Sequence, residues 1–201
     1  MNEKAFTLWF TGISRSGKST LASMLWERLS ERGIKSESLD SGKLRRKFNQ
    51  ELGFTREAIE KTLKRVAYEC QVLNRNGVVA IVAAISPFKS QRDAVREQSD
   101  AFVEVHCDAT PEQLQDRDPE GFFEKARRNE ILNVAGVNAP YEPPDTPEIH
   151  LKTTVDSPER CLETILKTLE ILGHLPERSA GAYTPEEEAL IKNRLRELGY
   201  I

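Results

Sequence analysis

The segment from Gly12 to Ser19 holds the residues whose types and spacing most directly predict chemistry. It reads Gly-Ile-Ser-Arg-Ser-Gly-Lys-Ser and satisfies the G-x-x-x-x-G-K-[ST] pattern of a phosphate-binding loop. Gly12 and Gly17 permit a tight turn in which successive backbone N–H groups converge on an anion. Lys18 can reach the β- and γ-phosphates of a nucleoside triphosphate, and the Ser19 hydroxyl can ligate Mg²⁺. The alternative is a glycine-bearing turn without a ligand.

The segments on either side of this loop are of the types that such a loop requires. Residues 6–10 read as a strand, and residues 18–32 read as a helix with leucine at every fourth position, at Leu21, Leu25 and Leu29. A helix N-terminus directly after the loop adds a positive field at the point where the phosphates would lie. The sequence therefore predicts a bound nucleoside triphosphate.

Apolar runs alternate with helical periodicity along most of the chain. The run Val-Val-Ala-Ile-Val-Ala-Ala-Ile at 78–85 is typical of a parallel strand that is covered on both faces. Strands separated by helices predict an α/β fold with a doubly wound, mostly parallel sheet. The predicted strands cover residues 6–10, 34–39, 78–85, 101–108 and 150–152, and the predicted helices cover residues 18–32, 56–75 and 158–172.

Two segments interrupt this alternation and set the predicted domain boundaries. Residues 116–147 begin with charged residues, continue with Pro and Asn, and contain no clear strand, which is typical of a lid. Residues 176–201 read as a linker followed by an amphipathic helix with Thr184 as its N-cap and Pro185 in its first position. We therefore expect one domain over residues 1–175 and a C-terminal appendage.

Composition argues against several classes of protein. The 201 residues include 29 Lys and Arg and 32 Asp and Glu, and a net charge of −3 argues against a protein that coats nucleic acid. The longest apolar run is far shorter than the ~20 residues that cross a bilayer, and the first ten residues lack the features of a secretory signal. We therefore expect a cytoplasmic protein without a membrane segment. Cys70, Cys107 and Cys161 lack the spacing of a disulfide framework or a cysteine-rich zinc site, and we expect three reduced, mostly buried thiols. The histidines His106, His150 and His174 lack metal-ligand spacing, and we assign them no role.

These observations favour a nucleotide-dependent enzyme. A signalling GTPase would need a guanine-reading N-K-x-D segment, which this sequence lacks. A small-molecule kinase fits better, because arginines in a lid can close over the transferring phosphoryl group. Arg117, Arg127 and Arg128 are the candidates, and a solvated helix face is the alternative for each of them.

Several longer stretches resemble the adenylylsulfate kinase family, whose members use ATP to phosphorylate the 3′-hydroxyl of adenosine 5′-phosphosulfate. They occur in the family's order and at its spacing over roughly residues 6–172. The resemblance implies a phosphate-loop kinase fold, ATP and Mg²⁺ as cofactors, a role in sulfate assimilation and a homodimer. The matching stretches are WFTGISRSGKSTLA, NQELGFT at 49–55, AISPFKSQRD at 84–93, VHCDAT at 105–110, DRDPEG at 116–121 and APYEPP at 139–144.

The resemblance also implies which residues are catalytic and which bind ATP and Mg²⁺. Lys18, Asp40 and Ser86 would be catalytic, and Mg²⁺ would lie at Ser19. Ser86 aligns with a serine described in this family as a phosphorylated intermediate. Because direct in-line transfer needs no covalent enzyme species, the alternative is a hydroxyl that binds substrate or caps a turn. ATP is expected on Gly12, Ser14, Arg15, Ser16, Gly17, Lys18, Ser19, Thr20 and Arg117.

For the acceptor, the resemblance implies a site at the edge of the sheet. Arg45 suits a phosphate or sulfate group, and Phe54 can stack on a base. The complete implied set is Arg45, Phe54, Ile85, Ser86 and Lys125.

At four further acceptor-side positions this sequence departs from the family pattern. A carboxylate credited as the base is replaced by Gly42, an arginine by Ile59, an asparagine by Thr62, and a base-stacking aromatic residue by Val134. Three hypotheses stay open: an adenylylsulfate kinase with a variant pocket, a related kinase for a different nucleotide-linked or phosphate-bearing alcohol, and an ATP-binding regulatory module without turnover. The intact Gly-Lys-Ser of the loop argues against the third.

Overall fold

Five parallel strands form one open sheet in the computed structural model, which describes residues 5–42, 55–176 and 185–201. The strand order is β2-β3-β1-β4-β5, and all four neighbouring pairs are parallel. The predicted α/β fold with a doubly wound, parallel sheet is therefore confirmed. The strands are β1 Thr7–Thr11, β2 Ser36–Asp40, β3 Val79–Ala83, β4 Phe102–Asp108 and β5 Ile149–Lys152.

The described helices flank this sheet and include two that the sequence analysis did not predict. The unpredicted ones are α3 and α4, and α3 buries only a narrow stripe formed by Gln91, Arg92 and Val95. Ala94 and Val95 are the only apolar residues of α3, so its buried face is mostly polar and the sequence shows no apolar repeat there. The helices are α1 Lys18–Glu31, α2 Arg56–Arg75, α3 Lys89–Glu97, α4 Phe122–Arg127, α5 Pro158–Ile171 and α6 Pro185–Glu197.

The sheet has an apolar layer on each face, because successive side chains of a strand point in opposite directions. Leu8 and Phe10 of β1 join the layer formed with the leucines of α1 and the buried face of α5. Trp9, between them, enters the opposite layer, where it packs with Leu63 and Val66 of α2. Burial on both faces holds the carboxyl ends of the strands in fixed positions, and the phosphate loop begins at the end of β1.

Residues 116–147, expected as a lid, pack around a small apolar core of their own. Its buried members include Phe123 and Ala126 of α4, together with Val134. Ile13 of the phosphate loop belongs to the same cluster, so the expected lid rests directly on the loop.

The C-terminal helix α6 packs against α5, and its Leu195 is completely buried. Beyond it, the hydroxyl of Tyr200 donates a hydrogen bond to the carboxylate of Glu148. Most of the predicted linker, including Thr184, lies outside the described residues. In the part of the chain that the structure describes, no helix is long and apolar enough to cross a membrane.

Glu148 joins three elements just before β5. Arg96 of α3 donates to both of its carboxylate oxygens, at 2.6 and 2.9 Å, and the backbone N–H of Glu104 in β4 donates at 2.6 Å. Burial alone would raise the pKa of Glu148, but the hydrogen bonds from Arg96 and Tyr200 hold it below its usual value. The carboxylate is therefore charged and fully engaged at neutral pH.

We expect Glu148→Gln to lower the free energy of unfolding by about 1.5–3 kcal/mol, because it replaces charge-assisted hydrogen bonds with weaker neutral ones. Urea denaturation of the whole chain measures this. Glu97→Gln is the matched control, since Glu97 is exposed on α3, and it should change stability by less than about 0.5 kcal/mol. Equal effects from the two substitutions would contradict the role of this network.

Candidate active site

The phosphate loop between β1 and α1 depends on backbone conformations that favour glycine. Gly12 has φ 147° and Gly17 has φ 93°. A Cβ atom on Gly12 would lie 2.6 Å from the carbonyl oxygen of Cys107 and 2.7 Å from the Ser16 hydroxyl, both far too close for a side chain. The loop therefore closes directly onto the end of β4.

Lys18 lies inside this loop and is only 7% exposed. Its Nζ donates to the carbonyl oxygen of Ile13 at 2.6 Å and to the Ser16 hydroxyl at 3.3 Å. Burial lowers its pKa to about 8, although the nearby Asp40 opposes the shift. The ammonium group thus occupies the concave side of the loop, where a triphosphate would lie.

Ser19 and Asp40 pair at the neighbouring strand end. The Ser19 hydroxyl, in the first turn of α1, donates to Asp40 Oδ2 at 2.7 Å, and Asp40 is the last residue of β2. Hydroxyl and carboxylate oxygens are ligands that suit Mg²⁺, so this pair fits the predicted ion. Gly42 lies close by: a Cβ there would be 3.1 Å from Asp40 Oδ1.

Arg15, predicted to contact ATP, directs its guanidinium group to the expected lid. It donates to the carbonyl oxygen of Arg117 at 2.8 Å and lies 3.4 Å from carboxylate oxygens of Asp118 and Glu120. The guanidinium carbon is also 5.5 Å from the ring centroid of Phe122. Arg15 has φ 65°, a conformation that costs a non-glycine residue roughly 1–2 kcal/mol. The side chain therefore joins the loop to residues 117–122.

Arg117 borders a cleft of about 250 Å³ beside the loop. Its Nη2 donates to the carbonyl oxygen of Thr153 at 2.5 Å, after β5. Gly17 and Thr20 line the cleft from the loop side, and Pro158 of α5 lies opposite. The cleft is therefore next to the phosphate loop.

Ser86, predicted to be catalytic, is 2% exposed and follows β3. Its hydroxyl accepts from Trp9 Nε1 at 3.1 Å and donates to the Thr11 hydroxyl at 3.0 Å. Its carbonyl oxygen accepts from Arg92 at 2.7 Å, and its φ of 40° is unusual for a serine. These contacts fix the strand end and agree with the alternative in which the hydroxyl supports a turn.

The predicted acceptor residues are only partly described. Arg45 and Phe54 lie outside the described residues. Ile85 is half-buried beside Ser86, and its carbonyl oxygen accepts from the Thr11 hydroxyl at 2.8 Å. Lys125 is exposed on α4.

Three of the positions expected to depart from the family pattern are apolar or internally bonded. Ile59 packs against the apolar layer that contains Trp9. Thr62 is buried and its hydroxyl donates to the carbonyl oxygen of Ala58. Val134 is 5% exposed within the cluster formed by the expected lid, so it offers little surface to a ligand.

Strands β4 and β5 bring together three side chains whose meeting the sequence did not predict. The parallel register places His106 opposite His150, and Asp108 lies two residues further along β4. Burial lowers the pKa of His106 to about 4, so its imidazole is neutral at physiological pH. The only signal in the sequence was the equivalent position of the two histidines in adjacent strands, which becomes visible once the strand order is known.

Comparisons with known proteins agree with this geometry. A family model described as Adenylylsulphate kinase matches residues 4–152. An adenylyl-sulfate kinase of Synechococcus sp. (strain JA-3-3Ab) is 37% identical over 175 residues, which cover 87% of this chain and 99% of that protein. A probable bifunctional SAT/APS kinase 2 of Sorangium cellulosum is 41% identical over 87% of this chain, which spans only 30% of that protein.

A solved structure supports the same relationship. The Mycobacterium tuberculosis APS kinase CysC, in complex with AMPPNP and APS, superposes with a TM-score of 0.77 at 33% identity, covering 83% of this chain and 98% of that one. The matched family region includes the phosphate loop, Asp40 and Ser86. This chain therefore belongs to the adenylylsulfate kinase family of ATP-dependent kinases, which act on an alcohol group.

Proposed function

We propose that this protein is an adenylylsulfate kinase, which transfers the γ-phosphoryl group of ATP to the 3′-hydroxyl of adenosine 5′-phosphosulfate and forms 3′-phosphoadenylyl sulfate. The observation that carries the proposal is the convergence of the phosphate loop, buried Lys18 and the Ser19–Asp40 pair at one edge of the sheet in a chain of this family. A related structure was solved with both AMPPNP and APS bound, which supports the choice of donor and acceptor.

The donor half of the reaction uses the loop and its neighbours. Backbone N–H groups of residues 12–19 cradle the phosphates, and Lys18 neutralises charge on the β- and γ-phosphates. Ser19 and Asp40 would hold Mg²⁺, whose chemical contribution is to neutralise charge on the phosphate oxygens. The cleft beside Arg117 suits the adenine base, because a guanidinium plane can stack on an aromatic ring.

Catalysis of phosphoryl transfer relies mainly on positioning and charge neutralisation. Asp40 is the carboxylate left beside Gly42, where the family usually has its base, and we assign Asp40 the orientation of the attacking hydroxyl. General-base assistance contributes typically 10²–10⁴-fold, so its partial loss slows the reaction without abolishing it. Ser86 acts as a positioning residue, because Trp9 and Thr11 hold its buried hydroxyl.

The acceptor half rests on the resemblance. Arg45 would bind the phosphosulfate group, Phe54 would stack on the adenine, and Ile85, Ser86 and Lys125 would complete the site. A homodimer, a cytoplasmic location and a role in sulfate assimilation belong to the same proposal.

One observation favours a second candidate, a kinase for another nucleotide-linked or phosphate-bearing alcohol. Ile59 packs into an apolar layer and Val134 lies inside the lid cluster, so neither position supplies the anion partner or the stacking surface that the family uses. A lost charged hydrogen bond costs about 1.5–3 kcal/mol, which is enough to change the preferred acceptor.

The proposal predicts formation of 3′-phosphoadenylyl sulfate when the purified protein is incubated with ATP, Mg²⁺ and adenosine 5′-phosphosulfate. Mass spectrometry identifies the product, and Lys18→Ala, which removes the phosphate-binding ammonium group, reports contaminating kinases. ATP binding without transfer to this acceptor would contradict the proposal. In that case, transfer to other nucleotide-linked alcohols would favour the second candidate, and transfer to none of them would favour a regulatory module.

Two variants in the same assay test whether the residues expected to depart from the family pattern reduce activity towards adenosine 5′-phosphosulfate. Gly42→Asp, alone and combined with Ile59→Arg, should raise kcat/KM for adenosine 5′-phosphosulfate by about tenfold or more, with the typical 10²–10⁴-fold contribution of general-base assistance as the upper range. Gly42 has an ordinary backbone conformation, so a side chain there requires only that the Asp40 carboxylate give way slightly. Gly42→Asn is the isosteric control without the charge, and an equal response to Asn and Asp would overturn this view of the pocket.

The lowered pKa of Lys18 predicts that ATP binding becomes coupled to proton uptake at high pH. Above its pKa of about 8 the free protein holds neutral Lys18, and the bound triphosphate favours the ammonium form. The number of protons taken up per bound MgATP should therefore rise from near zero at about pH 7 towards one at about pH 9.5. The affinity of the protein for MgATP should fall over the same range. Titration calorimetry in buffers of different ionisation enthalpy measures this proton uptake. Lys18→Arg should remove its pH dependence. Proton uptake by the wild type that does not change with pH would refute the prediction.

The contacts of Arg15 predict that Arg15→Gly loosens the expected lid without unfolding the protein. The lost ion pairs are partly exposed and worth little, and glycine relieves the positive φ, so stability should change by less than about 1 kcal/mol. Amide hydrogen exchange of residues 117–128 should nevertheless accelerate. Arg128→Ala removes an ion pair within α4 and should leave exchange at residues 117–122 unchanged. Unaltered exchange in Arg15→Gly would show that the lid is held independently of the loop.

A further inference from the structure

His106, Asp108 and His150 form a compact group on one face of the sheet. His106 and His150 are register partners in the adjacent parallel strands β4 and β5. Asp108 lies two residues after His106 and therefore points to the same face. Three ligating side chains thus meet at the carboxyl edge of the sheet, on residues that the proposed kinase reaction does not use.

The distances within this group are those of a metal site that needs only side-chain adjustment. The ligand atoms all lie within 4.8 Å of one another, and His150 Nε2 is 2.9 Å from Asp108 Oδ2. Zinc bonds to nitrogen and oxygen are about 2.0–2.2 Å, which places two ligands of a tetrahedral ion roughly 3.3–3.6 Å apart. Small rotations of side chains on two paired strands bridge the difference.

His106 is the most buried member of the group, with 7% of its surface exposed. Its ring stacks on His150 with centroids 5.3 Å apart and on Tyr141 with centroids 6.2 Å apart. In the described ranges, neither of its ring nitrogens is a buried polar atom without a hydrogen-bond partner. A neutral imidazole in this position can bind an ion that also binds His150.

We propose that His106, Asp108 and His150 bind a divalent transition metal ion, with Zn²⁺ as the best match. Two imidazoles and one carboxylate suit Zn²⁺, whereas Mg²⁺ prefers an all-oxygen set such as that at Ser19 and Asp40. Three protein ligands leave one position open for water. The side chains of His150 and Asp108 are 41% and 43% exposed, so the ion can enter from solvent, and it would fasten the edge strand β5 to β4.

The test uses tag-free, metal-stripped full-length protein with saturating Mg²⁺, titrated with Zn²⁺ by calorimetry and with Co²⁺ by visible absorption. We expect one Zn²⁺ per chain, ligand-field bands of bound Co²⁺, and a higher Tm when Zn²⁺ is added. Because His150 and Asp108 are half-exposed, His150→Gln and Asp108→Asn should fold. Each should weaken Zn²⁺ binding by at least the roughly 10–100-fold that loss of an outer-shell partner costs.

His174 provides the matched control, because it is the only histidine of the chain outside the group and stacks on Phe6. His174→Gln should bind Zn²⁺ like the wild type. Absence of saturable binding in the presence of Mg²⁺ would overturn the proposal. Binding that persists undiminished in both His150→Gln and Asp108→Asn would also overturn it, because the ion would then lie elsewhere.

Discussion

The phosphate loop can form only because no side chain separates Gly12 from the end of β4. A Cβ atom there would collide with the Cys107 carbonyl oxygen at 2.6 Å, so the loop would have to lift away from the sheet. Because the loop packs closely against the strand ends, Lys18 points inward and donates to the carbonyl oxygen of Ile13. It also starts α1 where the Ser19 hydroxyl meets Asp40 of β2. The lysine and the serine–aspartate pair therefore depend on a contact between two backbones.

The sequence predicts the features that depend on residues close together in the chain, and it does not predict those that depend on contacts between distant segments. Strand β1, the loop and the leucine stripe of α1 follow from neighbouring residues, and the apolar run around β3 reveals a parallel strand. The meeting of His106 with His150 depends on strand order and register, which no local pattern contains. The contact of Arg15 with residues 117–122 joins segments about a hundred positions apart in the sequence. The buried face of α3 contains the polar residues Gln91 and Arg92, so hydrophobicity alone does not reveal it.

The two halves of the proposed site differ in what builds them. The donor side uses backbone N–H groups and contacts between residues close in sequence. The loop therefore tolerates substitution only where the positive φ angles of its glycines are preserved. In the proposed acceptor half, recognition would rest on individual side chains, and an exposed one such as Lys125 on α4 can change without disturbing the sheet. Ile59 and Val134, two positions where the resemblance led us to expect functional groups, both pack in apolar surroundings. Within the proposed site, substitutions are therefore less disruptive on the acceptor side than on the donor side.

Ile13 belongs at once to the phosphate loop and to the apolar cluster of residues 116–147. The two are in such close contact that a Cβ on Gly136 would lie 2.9 Å from its Cγ2 atom. Separation of the loop from this cluster exposes apolar surface to water, and hydration of apolar surface raises the heat capacity. A nucleotide exchange step that proceeds by this parting has a positive heat capacity of activation, so its rate bends away from a single Arrhenius slope on warming. The packing of the Ile13 side chain would then contribute to the temperature dependence of such a step.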